Sequence, residues 1–179
     1  KDSKFKARFV ENSNWASNYI TLKNNRSFFN FLPTQNVHIN LENDSSEGHI
    51  QASKDFYLFG ELIKNAKFNI KEGKVISYSA DLGQNALEAF FKCDENANVV
   101  SSIFISEEET IESKYIVKAA HPLYALENSC SIILGGAVQD SLLNIDEETA
   151  LDDIKINQSL VKLAIPIGDI YTHINLDNT

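Results

Sequence analysis

The chain has 179 residues, a net charge of −9, 43% hydrophobic residues, four His, two Cys and no Met. That length suits one domain with a core that needs no disulfides or metal to fold, and two cysteines make no disulfide framework. The acidic balance argues against nucleic acid, whose phosphates need clustered Lys and Arg, and no apolar run approaches the ~20 residues that span a bilayer.

The start, Lys1-Asp2-Ser3, carries no signal-peptide pattern. With no Met in the chain, it reads as a fragment cut from a longer protein. A soluble, cytoplasmic setting is expected. Phe5, Ala7 and Phe9 then alternate with Lys6, Arg8 and Val10, which predicts a strand. Tyr19–Leu22 and Ser27–Phe31 are short β-rich runs between polar breaks. Val37, Ile39 and Leu41 alternate on one face of another strand.

A hairpin is the clearest local feature. Leu62, Ala66, Phe68 and Ile70 run into Lys71-Glu72-Gly73-Lys74, and Val75–Tyr78 returns. Gly73 supplies the positive φ that such a turn needs. A helix is predicted next, with Asn85 as N-cap and Glu88 as its capping-box partner. Leu87, Phe90 and Phe91 form its buried stripe. Val99–Ile105 reads as a buried strand, and Glu107–Glu109 as a charged loop. A second helix is suggested around Ser113–Ala120, before Pro122. Ser131–Leu134 is apolar and stops at Gly135-Gly136. Residues 139–156 read as an exposed acidic excursion or short helix, and Leu160–Ile167 and Ile170–Leu176 are the last strand candidates. The expected fold class is α+β: a single domain over 1–179, rich in antiparallel or mixed sheet, with a few helices.

No GxGxxG, P-loop, CxxC, HExxH or GxSxG is present. Gly135-Gly136 reads as a tightly packed strand terminus. Cys93 and Cys130 read as small buried hydrophobes. His121, before Pro122, reads as satisfying the last carbonyls of a helix. The acidic runs read as solvated faces. From the residues alone no catalytic constellation emerges.

The order of segments does resemble a family. Leu32-Pro33-Thr34-Gln35-Asn36-Val37 is similar to the Leu-Pro-x-x-Glu-Val segment of the thermophilic-type dinuclear metallo-aminopeptidases, the aminopeptidases T, S and II. Glu47-Gly48-His49-Ile50, Gly60-Glu61-Leu62-Ile63, Glu72-Gly73-Lys74-Val75, Glu127-Asn128-Ser129-Cys130 and Leu134-Gly135-Gly136-Ala137 resemble later family segments in register. Asn157-Gln158-Ser159 and Gly168 resemble the stretch near the family's end. The resemblance covers about residues 5–170. It implies the C-terminal, metal-bearing domain of such an enzyme, with an α/β domain ahead of it, two divalent metal ions and a possible homodimer.

The implied metal-site positions carry other residues here. Asn36 stands where the family has Glu, and Ser101-Ser102 where it has Gly-Glu. Ser131 replaces the His after Cys, Val138 the Tyr, and Lys162 and Ala164 the His-x-Asp pair. Glu127 alone matches a ligand type, one residue out of step. Two close divalent ions need several carboxylates and imidazoles to offset ion desolvation. The expectation is therefore a degenerate site over Asn36, Ser102, Glu127, Ser131, Val138, Lys162 and Ala164. No catalytic residue, metal or cofactor is assigned. The domain would be a pseudoenzyme in binding or scaffolding, its partner a peptide or protein, with no nucleic acid and no membrane. Two alternatives stand beside it. One is an active leucyl-aminopeptidase-type enzyme with ligands relocated among His38, His121, Glu127 and Asp169. The other is an unrelated β-rich binding module, which a fold lacking the 61–79 hairpin and the 85–93 helix would favour.

Overall fold

The computed structural model describes residues 3–10, 13–17, 19–22, 24–29, 36–106, 130–137, 159–168 and 174–176. Two five-stranded sheets face each other across one core. The first has the order β10-β9-β6-β1-β14: β1 (Lys4–Ala7), β6 (Glu47–Gln51), β9 (Lys67–Lys71), β10 (Lys74–Ser79) and β14 (Ile174–Leu176). The second has the order β13-β12-β11-β5-β2: β2 (Ala16–Ser17), β5 (Asn36–Asn40), β11 (Val100–Ser106), β12 (Cys130–Gly135) and β13 (Lys162–Gly168). All pairs within these sheets are antiparallel except β1 with β14. Two small hairpins complete the strands of the described residues, β3 (Tyr19–Thr21) with β4 (Ser27–Phe29), and β7 (Phe56–Leu58) with β8 (Glu61–Ile63).

The first sheet obeys period-two patterning. Phe5, Ala7, Ile50, Phe68, Ile70 and Val75 point into the core, while Lys4, Lys6, His49, Lys67 and Asn69 point outward. The second sheet contributes Ile39, Leu41, Ile103, Ile132, Leu134, Leu163 and Ile165 to the same core. The helix α1 (Gln84–Cys93) adds Ala86, Leu87 and Phe90. Burying a side chain of this size contributes about 1.5–3 kcal/mol.

The predicted hairpin is present as β9 and β10, and Gly73 sits in its turn with φ 73° after Glu72 at φ 49°. The preceding residues do not extend β9 back to Leu62. Leu62 belongs to β8, and the chain breaks at Asn65, whose φ of 51° interrupts any strand. The Asn65 side chain donates to Asp81 Oδ2 at 2.7 Å, which holds it there.

Three further local expectations need correction. The helix N-cap is Gly83 at φ 80°, not Asn85, and no side chain caps the helix. Gln84 turns its side-chain oxygen back to accept from Ala80 N at 2.9 Å. Cys93 is exposed, its thiol donating to the Phe90 carbonyl, whereas Cys130 is buried as expected. Val37 is 40% exposed although Ile39 and Leu41, on its face, are buried, because it lies at the sheet's end. The expected second helix at 113–120, the loop at 107–109, His121 and the excursion at 139–156 lie outside the described residues.

Gly135 and Gly136 end β12 against the 159–161 segment. A Cβ on either would overlap the carbonyls of Val161 and Ser159 respectively. The tight-packing expectation for this pair therefore holds. Among the described residues no helix is long and apolar enough to cross a membrane.

Candidate functional site

The centre of the second sheet, in β5, β11 and β12, is buried on both faces, and its two faces differ in chemistry. One is the apolar core face. The other is polar, and it is built by strand alternation opposite Ile39, Ile103, Ile132 and Leu163.

The register fixes which residues share this polar face. Asn36, His38 and Asn40 alternate along β5 and pair with Ser106, Phe104 and Ser102 of β11. Phe104 and Ser102 pair in turn with Ser131 and Ile133 of β12, and these with Pro166 and Ala164 of β13. Two rows thus cross the sheet: Asn40–Ser102–Ile133–Ala164 and His38–Phe104–Ser131–Pro166. Directly paired residues project to the same side.

Asn36, His38, Asn40, Ser102 and Ser131 are all buried. Ser102 Oγ donates to Asn40 Oδ1 at 2.6 Å, a neutral pair in the middle of the face. His38 stacks almost flat on Phe104, with ring centroids 4.6 Å apart and an interplanar angle of 16°. Ser101, at the β11 irregularity, points its hydroxyl at the carbonyls of Ile133 and Gly136, at 3.2 and 3.1 Å. It pins the end of β12 and contributes nothing to the face. At the far end, Asn36 Oδ1 and Ser106 Oγ are buried and accept no hydrogen bond from the described residues. Each is an unmet acceptor that burial makes costly, of order 1–3 kcal/mol.

Of the positions singled out from sequence, Asn36, Ser102, Ser131, Lys162 and Ala164 all fall on this sheet. Ser102, Ser131 and Ala164 lie within adjacent rows. Asn36 and Lys162 mark opposite ends, because Lys162 pairs with Gly135 beyond the Ala164 row, whereas Asn36 pairs with Ser106. Asn36 lies four residues from Asn40, about 13 Å at the usual rise of ~3.3 Å per residue. Glu127, Val138, His121 and Asp169 lie outside the described residues. His38 does share a face with Asn36, as its two-residue offset predicts.

Asn40, Phe104 and Ser106 belong to the same surface and were not singled out. The polar alternation Asn36-x-His38-x-Asn40 was the signal available for Asn40. Nothing in the sequence shows that this alternate face is buried too.

The described part of the face offers amides, hydroxyls and one imidazole, with Lys162 exposed at its margin. Among the described residues no three His, Cys, Asp or Glu side chains group so as to hold a metal ion. Neutral Asn and Ser oxygens do not offset the desolvation of two adjacent divalent ions. The donors among the described residues do not by themselves fit a metal pair. The raised pKa of Tyr78, due first to burial and then to the Glu88 carboxylate, belongs to the other sheet and has no part in this surface.

Comparison with known proteins places the fold. Aminopeptidase 2 of Geobacillus stearothermophilus is 23% identical over 176 residues, which is 97% of this chain and 42% of that protein. The solved structure of wild-type AmpT from Thermus thermophilus superposes with a TM-score of 0.79 at 22% identity, covering 93% of this chain and 43% of that one. The chain therefore spans less than half the length of either relative. The hairpin and helix that an unrelated module would lack are both present. The sequence pattern of the thermophilic metalloprotease family, M29, matches residues 1–178. The chain belongs to the M29 family of thermophilic metalloproteases.

Proposed function

We propose that this M29 aminopeptidase-like domain does not hold the dinuclear metal centre and acts in binding or scaffolding, with a peptide or protein as its partner. The supporting observation is the neutral chemistry of the polar face. Asn36, Ser102, Ser131 and Ala164 share one side of one sheet, where a metal pair would call for carboxylates and imidazoles. Among the described residues that face offers no carboxylate to take a proton from water.

A second reading keeps an active metal-dependent aminopeptidase with relocated ligands. It is favoured by one observation, that His38 is buried on this face. The two readings separate by measurement. Purified protein, dialysed after exposure to Zn²⁺ or Co²⁺, is analysed for metal and assayed for release of N-terminal residues from leucyl peptides. The proposal expects substoichiometric metal and no release. Two tightly held ions per chain, or release that His38→Ala abolishes, would establish the second reading instead.

A further inference from the structure

The outward face of the first sheet is concentrated in positive charge, on a chain whose net charge is −9. Its lattice follows from the register. Lys4 pairs with His49, His49 with Asn69, and Asn69 with Ser77. Lys6 pairs with Glu47, and Lys71 with Lys74, at the next level. Gln51 pairs with Lys67, and Lys67 with Ser79, on the other side. All these side chains project away from the core, because Phe5, Ile50, Phe68 and Ile70 occupy the alternate positions.

Five lysines thus stand on three of these four adjacent strands, β1, β9 and β10, with Glu47 of β6 as the carboxylate among them. Glu47 is engaged with Lys6 at 3.0 Å. Lys71 reaches toward Glu72, in the hairpin turn at the edge of the lattice, at 3.8 Å. The lysines stay open to solvent, Lys6 at 60% and Lys71 at 66% of their side-chain surface. The neutral positions between them are Gln51, Asn69, Ser77 and Ser79, which donate and accept hydrogen bonds. Among the described residues of these four strands the face carries no arginine and no Phe, Tyr or Trp; Arg8, just past β1, is engaged with Glu42 at 2.9 Å.

We propose that this face docks an acidic polypeptide segment of a partner protein. Lysines two residues apart on one strand, such as Lys4 and Lys6, stand about 6.6 Å apart at ~3.3 Å per residue. That is also the spacing of carboxylates at alternate positions of an extended peptide. The hydroxyls and amides between the lysines fit the polar backbone of such a segment. Charge complementarity of this kind governs association rate and partner choice. Nucleic acid is disfavoured because the face lacks the stacking rings and arginine forks that hold bases and phosphates. A lipid surface is disfavoured because Ile76, at the β10 irregularity, is the one large apolar side chain exposed among the described residues of these four strands, too little to anchor in a bilayer.

The test uses the 179-residue protein and a fluorescent oligoglutamate peptide, read by anisotropy at low and at physiological salt. Binding is expected at low salt and should weaken as the Debye length falls to about 8 Å. Lys67→Glu with Lys71→Glu should weaken it by about tenfold or more. Lys64→Glu with Lys92→Glu changes net charge equally but lies off the face, and should leave binding within about twofold. Amide chemical-shift changes in 4–6, 47–51, 67–71 and 74–79 would support the location. Absence of binding at low salt, equal losses in the two variants, or tighter binding of an oligonucleotide or of phosphatidylserine vesicles would overturn the proposal.

Discussion

Gly73 and Gly60 each take the second position of a two-residue hairpin turn, after Glu72 and Phe59, and all four have positive φ. Both glycines answer the same backbone demand, since φ values of 73° and 83° cost a side-chain-bearing residue about 1–2 kcal/mol. Their surroundings differ. A Cβ on Gly60 meets nothing within 4 Å, whereas one on Gly73 would overlap the Asn43 backbone carbonyl. Gly73 N also donates to Ser46 O, and Gly73 O accepts from Val100 N, both at 2.8 Å. Gly60→Ala should therefore cost about 1 kcal/mol, and Gly73→Ala about 3 kcal/mol or more. Urea denaturation of the two variants compares them directly. Equal losses would mean that the junction around Gly73 is looser than its geometry indicates. Gly73's need for positive φ is legible in Glu72-Gly73 as a sequence. Its second role is not, because Asn43 and Val100 are distant in the chain.

The helix α1 shows where local rules give way to packing. Sequence logic favours a polar cap, and Asn85 with Glu88 has the capping-box spacing. The chain instead enters the helix through Gly83, which is wedged against the Leu62 carbonyl and the Ile63 side chain. A residue with a Cβ would collide there. Gly83→Asp, which adds a preferred capping residue, should lower stability by about 2 kcal/mol, instead of gaining the ~1 kcal/mol of an ordinary N-cap. Thermal unfolding decides the sign. A rise in Tm would show that the helix can shift away from β8. The strands were more legible than the helix cap, because alternation reports a face directly. Phe5, Ala7, Phe68 and Ile70 are buried as their spacing predicts. The break at Asn65 was hidden, because Leu62, Ala66, Phe68 and Ile70 keep a single parity across it. A hydrophobic alternation does not by itself record where one strand stops and the next begins.

At the scale of the whole molecule, burial is unevenly distributed. β12 is flanked by β11 and β13, and all its residues are buried. The β3–β4 hairpin forms a separate two-stranded sheet with Leu22 and Phe28 exposed. Amide hydrogen exchange should therefore be slowest in 130–135 and the adjoining part of β11, and fastest across 19–29. Comparable protection in the two would show that the hairpin is covered in solution. The candidate site belongs to this scale too, which is why it was only partly legible. The resemblance picked out Asn36, Ser102, Ser131 and Ala164 one by one. Their placement on a shared face depends on pairings such as Ser102 with Asn40, sixty-two residues apart in the chain. The burial of that face depends on the assembled sheet, and no local pattern reports it.

The parallel pairing of β1 with β14 has a consequence for the order of assembly. Phe5 is made well before its partner Ile174, which lies near the other end of the described residues. β1 can pair early with β6 on one side, where Lys4 meets His49. Its other edge stays open until β14 has been made. Closing so long a loop is slow, and an unpaired edge invites the wrong neighbour. The first sheet is thus the last to be completed, and a ribosome-bound chain stalled before residue 174 carries an open strand.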